Sequence, residues 1–518
     1  MRAHPTRRAF LARGGAGLAS LALFDLLAAC GGGSTSEGRP STRSHLTVGI
    51  IQEPTSLDPT ADATNSIGLL LRDNVYEGLV RLDPTGKVLP GLARTWDLSS
   101  DGTTFTFHLA TGVKWHDGTP FTARDVQFSW ERAMSLQTKP VNPHVDYWAP
   151  VRSVATIDDR TVKVTLKQYS FNWLFHMTAA SAAIVSEKSA GANAAHPVGT
   201  GPFTFTGWDR GAGLRLARHT AYWGSGARLS SIEFRFITDA NAMNNALKAG
   251  DIDAVGQVGG PEQVSTFQKD SRFKVLKGVP AGKVIVAMNN GSKPLRDARV
   301  RRAISMAIDR KAWIQGILSG YGVPIGSHAV PNAGEPYYVN TTDLNPYDTS
   351  KARSLLQEAG YGGGLALRLA QISDFPYAVR GTDVLNSQLK QIGITLKVAP
   401  MPFASWYAQV FKPGGPQDYD LTIINHAEER DIGNYADPKY YWHYANAEVA
   451  QWLLQADAEV NQVRRNDLYA RVQKQLAGDA ANGFIMSPNQ LAVVRSTLHG
   501  YPATSLMAPL FLRDAYFS

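Results

Sequence analysis

The amino-acid sequence predicts a large α/β protein with more than one domain. The chain has 518 residues, more than a single hydrophobic core usually organises. Hydrophobic residues make up 44% of it and charged residues 19%, a balance typical of folded globular proteins. Short apolar runs of strand type alternate with stretches of helical periodicity, and this alternation indicates the α/β class.

The expected strands are short and are bounded by turn residues. Residues 46–51 form an apolar run of strand type. Asp101 and Gly102 form a hairpin signal, behind which apolar residues alternate on one face: Phe105, Phe107 and Leu109. Residues 156–166 alternate in the same way. Further strands are expected over residues 283–289, 365–370, 394–399 and 419–425.

The expected helices are marked by capping residues and apolar stripes. Thr122 and Asp125 resemble a capping box ahead of one helix. The stretches 239–250 and 348–360 each begin at an aspartate and end at a glycine, as helices with a glycine at the carboxyl end do. Further helices are expected over the stripe of Val300, Ile304 and Ile308, and over residues 381–391 and 447–476.

Charge and cysteine content exclude several classes of protein. The formal net charge is +8, but four arginines against one aspartate lie in the first 29 residues, and the basic residues form no run. Nucleic acid is therefore not an expected partner, because tracking phosphates needs a concentrated basic face. A single cysteine excludes an internal disulfide framework and a cysteine-rich zinc site.

Residues 1–29 are expected to be an export signal. Arg7 and Arg8 form a twin-arginine pattern, and an apolar stretch follows over residues 14–27, interrupted by Asp25. The stretch ends in a sequence that resembles the lipobox of bacterial lipoproteins, with Cys30 as the residue to be lipidated. Residues 30–44 then read as a flexible tether. The alternative is a cytosolic protein with an apolar N-terminal helix and a chance cysteine.

Sequence motifs of catalysis are missing. The chain contains no zinc-protease helix motif, phosphate-binding loop, nucleophile elbow or dinucleotide-binding glycine motif. His426 and Glu428 match the start of a zinc-deaminase motif, but the paired cysteines that complete it do not exist here. We therefore expect no enzyme activity, no cofactor and no dedicated metal site. An exported hydrolase stays open as an alternative, because a Ser/His/Asp triad needs no proximity in sequence.

Several phrases of the sequence, in order, resemble the family 5 extracellular solute-binding proteins, which are the dipeptide, oligopeptide and nickel receptors of ABC importers. They lie at residues 54–59, 75–80, 92–96, 113–126, 199–203, 294–304 and 307–310. The resemblance implies a two-lobe periplasmic-binding-protein (Venus-flytrap) fold. Lobe I would comprise residues 45–280 and 485–518, with an extra subdomain over 74–196, and lobe II would comprise residues 281–484. The lobes would close over a ligand by hinge motion.

The resemblance also implies function and location. The chain would be the lipid-anchored substrate-binding component of an ABC importer, capturing peptides or peptide-like solutes and delivering them to permease and ATPase subunits. It would be an exported monomer, periplasmic or at the outer face of the cytoplasmic membrane, and held there only by the lipid at Cys30. A receptor for a nickel chelate or an oligosaccharide is the alternative within the family.

In the peptide-binding relatives, a strand beginning with an aromatic residue and an aspartate precedes a loop whose aspartate binds the ligand's ammonium. Residues 419–421 resemble the start of that strand, so the resemblance implies a ligand site in the loop that follows. The candidates for binding the ammonium are Asp431 first, then Glu429 and Glu428. His426 takes the position of a tryptophan that is common in the relatives. Arg430 would balance the negative charge or bind the ligand's carboxylate. The alternative is a solvated turn in which these acids pair with Arg430.

Aromatic residues near this loop could supply flat walls for a ligand. Trp406 is the preferred wall residue, and the group after the loop adds Tyr435 and Trp442. Packing between the lobes is the alternative role for the same side chains.

Overall fold

Strands and helices alternate along the chain in a computed structural model that describes residues 43–60, 65–135, 145–256, 258, 263–503 and 509–518. The predicted export signal, with Arg7, Arg8 and Cys30, lies outside the described residues, as does almost all of the predicted tether. Among the described residues, no helix combines the length and the apolar character needed to span a bilayer.

The strands are mostly short, with one long exception at the carboxyl end of the chain. They are β1 (His45–Ile50), β2 (Val80–Leu82), β3 (Val88–Pro90), β4 (Ala93–Leu98), β5 (Thr104–Leu109), β6 (Val151–Asp158), β7 (Thr161–Leu166), β8 (Phe203–Asp209), β9 (Gly213–Arg218), β10 (Ser231–Phe236), β11 (Ala254–Val255), β12 (Phe273–Pro280), β13 (Lys283–Met288), β14 (Gly322–Pro324), β15 (Leu365–Ile372), β16 (Ile394–Met401), β17 (Leu421–His426), β18 (Gly483–Arg495), β19 (Leu498–His499) and β20 (Tyr516–Phe517).

The α-helices are α1 (Asn65–Leu70), α2 (Ala123–Ser135), α3 (Trp173–His176), α4 (Ala240–Ala249), α5 (Val264–Gln268), α6 (Ala298–Ala307), α7 (Arg310–Leu318), α8 (Thr349–Glu358), α9 (Pro376–Lys390), α10 (Phe403–Trp406), α11 (Ala447–Ala458) and α12 (Gln462–Gly478). A short π-helix (Tyr407–Phe411) follows α10, and a 3-10 helix (Asp431–Ala436) follows β17.

A twelve-stranded sheet runs through most of the molecule in the order β16-β15-β17-β13-β18-β11-β1-β10-β9-β8, with β12 and β14 also paired to β18. The long strand β18 joins its two halves. Residues 483–488 of β18 pair with β13 and β14, whereas residues 489–495 pair with β12 and β11. A separate four-stranded antiparallel sheet, β4-β5-β7-β6, packs against α2.

The hydrophobic core is divided in the same way as the sheets. One cluster of buried side chains lies within residues 284–486. A second joins side chains from residues 46–254 to others from residues 492–517, and a third lies within residues 79–184. The second cluster therefore joins segments that are distant in sequence, which is why local patterns alone do not define the domains.

Capping residues separate neighbouring helices in two of the stretches that were expected to be helical. The stripe of Val300, Ile304 and Ile308 is not continuous, because Ile308 is extended and Asp309 caps the start of α7 by accepting from the Ala312 amide. The stretch 447–476 is mostly helical, as expected, and consists of α11 and α12, the second of which is capped by Asn461. The helix expected over 381–391 begins earlier, at Pro376.

Candidate functional site

Strand pairing brings a lysine from far away in sequence to the predicted ligand loop. β17 lies between β13 and β15, and its last residue, His426, is opposite Lys283, the first residue of β13. The side chain of Lys283 is fully buried. A buried ammonium needs charged or polar partners in return for the water that it loses, so its surroundings define the centre of the site.

Lys283 is bonded to two carboxylates and to the backbone of the loop. Its Nζ lies 2.5 Å from Asp431 Oδ1 and 2.9 Å from Glu335 Oε1, and it donates to the carbonyl oxygen of Glu428 at 2.7 Å. Burial alone would lower the pKa of Lys283, but the charges of Asp431 and Glu335 outweigh burial and raise it. Lys283 is therefore a permanent cation that fixes the loop.

Asp431 is held by two histidines in addition to Lys283. His328 donates from Nε2 to Asp431 Oδ2 at 3.0 Å, and His426 donates from Nδ1 to the same oxygen at 2.9 Å. Burial would raise the pKa of Asp431, but the hydrogen bonds from His328 and His426 and the charge of Lys283 hold it well below its usual value. Both oxygens of this buried carboxylate are thus used inside the protein.

The opposite nitrogens of both imidazoles accept hydrogen bonds from tyrosines. Tyr441 donates to His426 Nε2 at 2.7 Å, and Tyr435 donates to His328 Nδ1 at 3.3 Å. Asn482 in turn donates to the Tyr435 hydroxyl at 2.6 Å. Burial lowers the pKa of His328 to about 4, so this ring is neutral at physiological pH.

Three potential metal ligands meet in this network. The ligand atoms of His328, His426 and Asp431 lie within 4.8 Å of one another. The nitrogens that face Asp431 carry protons in these hydrogen bonds, and the Lys283 ammonium bonds the same carboxylate. A metal ion would have to displace both protons and sit beside a fixed cation, so the geometry fits a hydrogen-bond network better.

Arg430 links the loop to a distant segment of the chain. It adopts a left-handed backbone conformation with φ of 62°, and its guanidinium lies 4.4 Å from the ring centre of Phe171 and 4.1 Å from that of Phe175. Nε donates to the carbonyl of Gly334 at 2.7 Å, and Nη1 donates to the carbonyl of Phe171 at 3.3 Å. The backbone of Phe171 also bonds the carbonyl of Asp457 at 2.8 Å. Arg430 therefore joins residues 171–175 to the loop.

The three loop acids occupy different environments. The side chain of Asp431 is 5% exposed, Glu429 is buried, and the Glu429 carboxylate packs against Gly334. Glu428 is exposed, yet the protein mass around it and the charge of Asp431 raise its pKa. A carboxylate that is surrounded by protein and still open to solvent is expected at the wall of a cleft. Two of the three loop acids therefore have side chains inside the protein, and the third is open to solvent.

The predicted aromatic residues pack into the core beside this network. Trp406, Tyr435 and Trp442 are each at most 1% exposed. The rings of Tyr435 and Trp442 stack at 4.3 Å, and Trp406 donates from its indole to Thr422 Oγ1 at 2.9 Å. In this conformation the three rings offer no open face, whereas Tyr440 beside them is only partly buried.

Sequence reasoning missed Lys283, His328 and Glu335. All three are fully buried and lie about a hundred or more residues before the loop that they bond. The one local signal was a lysine at the start of the otherwise apolar run 283–288, where a charged side chain predicts a buried partner of opposite sign.

Comparisons with known proteins identify the family. The model of the bacterial extracellular solute-binding proteins, family 5, matches residues 87–448. The glutathione-binding protein GsiB of Pectobacterium atrosepticum is 32% identical over 363 residues, which cover 69% of each chain.

Solved structures share the fold. The binding protein CtaP of Listeria monocytogenes superposes with a TM-score of 0.81 at 23% identity, over 92% of this chain and 99% of that one. The DppA protein of Helicobacter pylori, in complex with the peptide STSA, superposes with a TM-score of 0.74 at 24% identity, over 91% and 98%. The α/β architecture is thus the two-lobe fold of periplasmic solute-binding proteins, and the chain belongs to the family 5 bacterial extracellular solute-binding proteins.

Proposed function

We propose that this chain is the lipid-anchored receptor of an ABC importer and that it captures peptides or peptide-like solutes carrying a free amine. It delivers them to a permease and an ATPase, and binding requires no chemistry on the ligand. Glutathione is the first ligand to test, because relatives at about 30–32% identity are named as glutathione-binding proteins. Glutathione is itself a peptide with a free ammonium group.

The observation that carries the proposal is the charge balance of the loop. Two buried cations, Lys283 and Arg430, are accompanied by the carboxylates of Asp431, Glu335, Glu429 and Glu428. Carboxylates therefore outnumber cations, and the acid open to solvent is Glu428. A ligand ammonium placed there gains a charge-assisted hydrogen bond and offsets the excess negative charge.

Within this proposal the loop acids have separate roles. Glu428 contacts the ligand's ammonium, while Asp431 holds Lys283 and the two histidines and so positions the loop. Glu429 is buried beside Gly334 and shapes the loop from inside. Arg430, with its guanidinium against Phe171 and Phe175, acts between the two sides of the cleft rather than on the ligand's carboxylate.

We further propose that lobe I comprises residues 45–280 and 485–518, with a subdomain over 74–196, and that lobe II comprises residues 281–484. Two observations support these boundaries. The buried cluster within 284–486 is separate from the others, and the chain passes between the halves at 280–283 and within β18. Two short crossings of this kind can serve as hinges.

Anchoring completes the proposal. We place the protein outside the cytoplasmic membrane, exported through the twin-arginine pattern at Arg7 and Arg8 and held by a lipid at Cys30. A single attachment at the end of a tether leaves the two lobes free to open and close beside the permease.

Mass spectrometry of ligand carried through purification tests the ligand class, followed by calorimetry with glutathione. A bound peptide or glutathione supports the proposal. A nickel chelate or an oligosaccharide would contradict it and favour the alternative receptors of the family, and turnover of a bound molecule would favour an exported hydrolase.

A further inference from the structure

A polar cavity of about 450 Å³ lies away from the loop described above. Its lining residues come from the segments 73–94, 222–225 and 511–513, and none belongs to the stretch from His426 to Trp442. The volume falls in the range of small-molecule sites, about 300–1,000 Å³. This cavity therefore has room for a ligand that does not compete with the loop.

Two arginines that form no hydrogen bond and no close ion pair with a described residue line one part of the cavity, although the charge of Arg81 acts on Asp73. The guanidinium of Arg94 lies 4.7 Å from the ring centre of Trp223, and that of Arg81 lies 5.5 Å from the ring centre of Phe511. Neither arginine has a hydrogen bond or an ion pair with any described residue, whereas Arg513 of the same cavity is paired with Asp514. Two stacked guanidiniums with free N–H groups form a receptor for a carboxylate.

A carboxylate with one unused oxygen lines the same cavity. Asp73 is 3% exposed, and its Oδ1 lies 3.2 Å from Arg72 Nη1. Its Oδ2 accepts no hydrogen bond from any described residue. An orphaned, buried carboxylate oxygen is costly unless a donor reaches it, and a ligand ammonium is the strongest such donor.

The neighbouring Glu77 does not share this role. It accepts from Tyr222 at 2.8 Å, and from Trp223 and Thr200 at 2.9 Å each. These donors use both oxygens of Glu77, so it holds the wall of the cavity and leaves Asp73 as the acid with an unused oxygen.

We infer that this cavity is a second ligand site, which binds a free α-amino acid as a zwitterion. The carboxylate of the amino acid lies between Arg81 and Arg94, and its ammonium donates to Asp73 Oδ2. Both charge signs occur in one cavity, each with unused hydrogen-bonding atoms, and a small zwitterion satisfies both at once. This inference is independent of the ligand proposed for the loop.

Calorimetry on the purified protein tests the site with L-serine as the probe. We expect L-serine to bind, and we expect Arg81→Gln and Arg94→Gln each to weaken its binding at least tenfold. Arg152→Gln, an exposed arginine on β6 outside the cavity, is the matched control and should bind like the parent. Inorganic phosphate and ethanolamine carry one charge sign each and should bind much more weakly than L-serine.

Three results of the calorimetry would overturn the inference: no binding of L-serine, L-serine binding that both arginine variants retain, or phosphate binding as tight as that of L-serine. A readout that needs no substitution guards against misfolded variants. The indole N–H resonance of Trp223, whose nitrogen donates to Glu77, should shift on titration of the parent protein with L-serine. An unshifted resonance at saturation also contradicts the site.

Discussion

Lys283 Nζ lies 2.5 Å from Asp431 Oδ1, and at most 5% of either side chain is exposed. The two residues are far apart in sequence, so their ion pair connects the first residue of β13 to the 3-10 helix after β17. The removal of one partner leaves the other charge buried with fewer counter-charges. The resulting loss of folding stability is large, even though the intact pair adds little net stability.

The first prediction is that Asp431→Asn destabilises the fold. The change removes the carboxylate that Lys283, His328 and His426 share, and breaking a buried pair costs about 3–5 kcal/mol. Chemical denaturation followed by far-ultraviolet circular dichroism measures it. Asp209→Asn, which breaks an exposed pair with Arg215, is the control and should leave the transition where it is. Equal stability of the two variants would show that the buried pair is not needed.

Local patterns predicted the elements whose signals lie within a few residues. Asp239 caps α4 through the amide of Ala242, and Gly250 ends it in the left-handed conformation with φ of 92°, as the sequence predicted. The alternation of Phe105, Phe107 and Leu109 likewise places these three side chains on the buried face of β5. In each case the cause and the effect are close in sequence.

The site could be predicted only in part, because its contacts come from strand register. The loop 426–431 follows from the apolar run before it, but nothing near that loop indicates that β13 pairs with β17 and places Lys283 beside His426. When the position of Lys283 is not known, Asp431 is the natural candidate to bind the ligand, because its local backbone is the most favourable among the loop acids. The structure shows that this acid already has a buried cation.

The second prediction concerns Glu77 and His116, whose pKa values are shifted in opposite directions. Burial raises the pKa of Glu77 to about 7 and lowers that of His116 to about 4. His116 donates from Nε2 to Gly201 and accepts at Nδ1 from the Gly199 amide, which disfavours its doubly protonated form. As the pH falls from about 6.5 to about 4.5, unfolding takes up a proton at His116 and releases one from Glu77, so the two contributions cancel.

Single variants should separate these contributions. In Glu77→Gln the compensation is lost, and stability should fall as the pH is lowered, by about 1.4 kcal/mol per pH unit more than in the parent. In His116→Gln stability should change by the same amount in the opposite direction. Urea unfolding at pH values of about 6.5, 5.5 and 4.5 measures the slope of stability against pH in both variants. Slopes equal to that of the parent in both variants would contradict the assignment.

The third prediction concerns closure of the lobes. Arg430 bonds the carbonyl of Phe171 and stacks on Phe175, so contacts that do not depend on ligand join the loop to residues 171–175. Arg430→Lys keeps the charge but loses the planar stacking and part of the hydrogen bonding. Small-angle scattering should show a smaller radius of gyration for the parent with saturating glutathione than without it, and a larger radius for the ligand-free variant than for the ligand-free parent. Identical radii throughout would exclude Arg430 as a closing contact.

The fourth prediction concerns export and anchoring. Cys30→Ser should release the exported protein from the membrane fraction and remove the mass of the lipid, because no other attachment is proposed. Arg7→Lys with Arg8→Lys should retain the protein inside the cell, since the twin-arginine route depends on the arginines themselves. Cell fractionation and intact-mass spectrometry measure both, and a membrane-bound Cys30→Ser protein of unchanged mass would contradict the anchor.

The last prediction concerns the contact with the ligand, where position and charge favour Glu428 among the loop acids. The carbonyl of Glu428 is fixed by Lys283 at 2.7 Å, so the backbone is held while the side chain stays exposed. The raised pKa of Glu428 means that part of its charge is lost on mild acidification. Because an ammonium is bound by the ionised acid, affinity for an amine should increase as the pH rises through this pKa.

Glu428→Gln should therefore weaken glutathione binding without unfolding the protein. A hydrogen bond between charged groups contributes about 1.5–3 kcal/mol, which corresponds to roughly one to two decades in Kd. Calorimetry from about pH 4, near the ordinary pKa of a glutamate side chain, up to about pH 8 should also show a weaker pH dependence in the variant than in the parent. Glu131→Gln, an exposed acid on α2, is the matched control and should keep the parent's affinity and pH dependence. If Glu428→Gln binds as the parent does while Asp431→Asn, refolded and stable enough to titrate, loses binding, then the ammonium reaches the buried carboxylate and Lys283 must move to admit it.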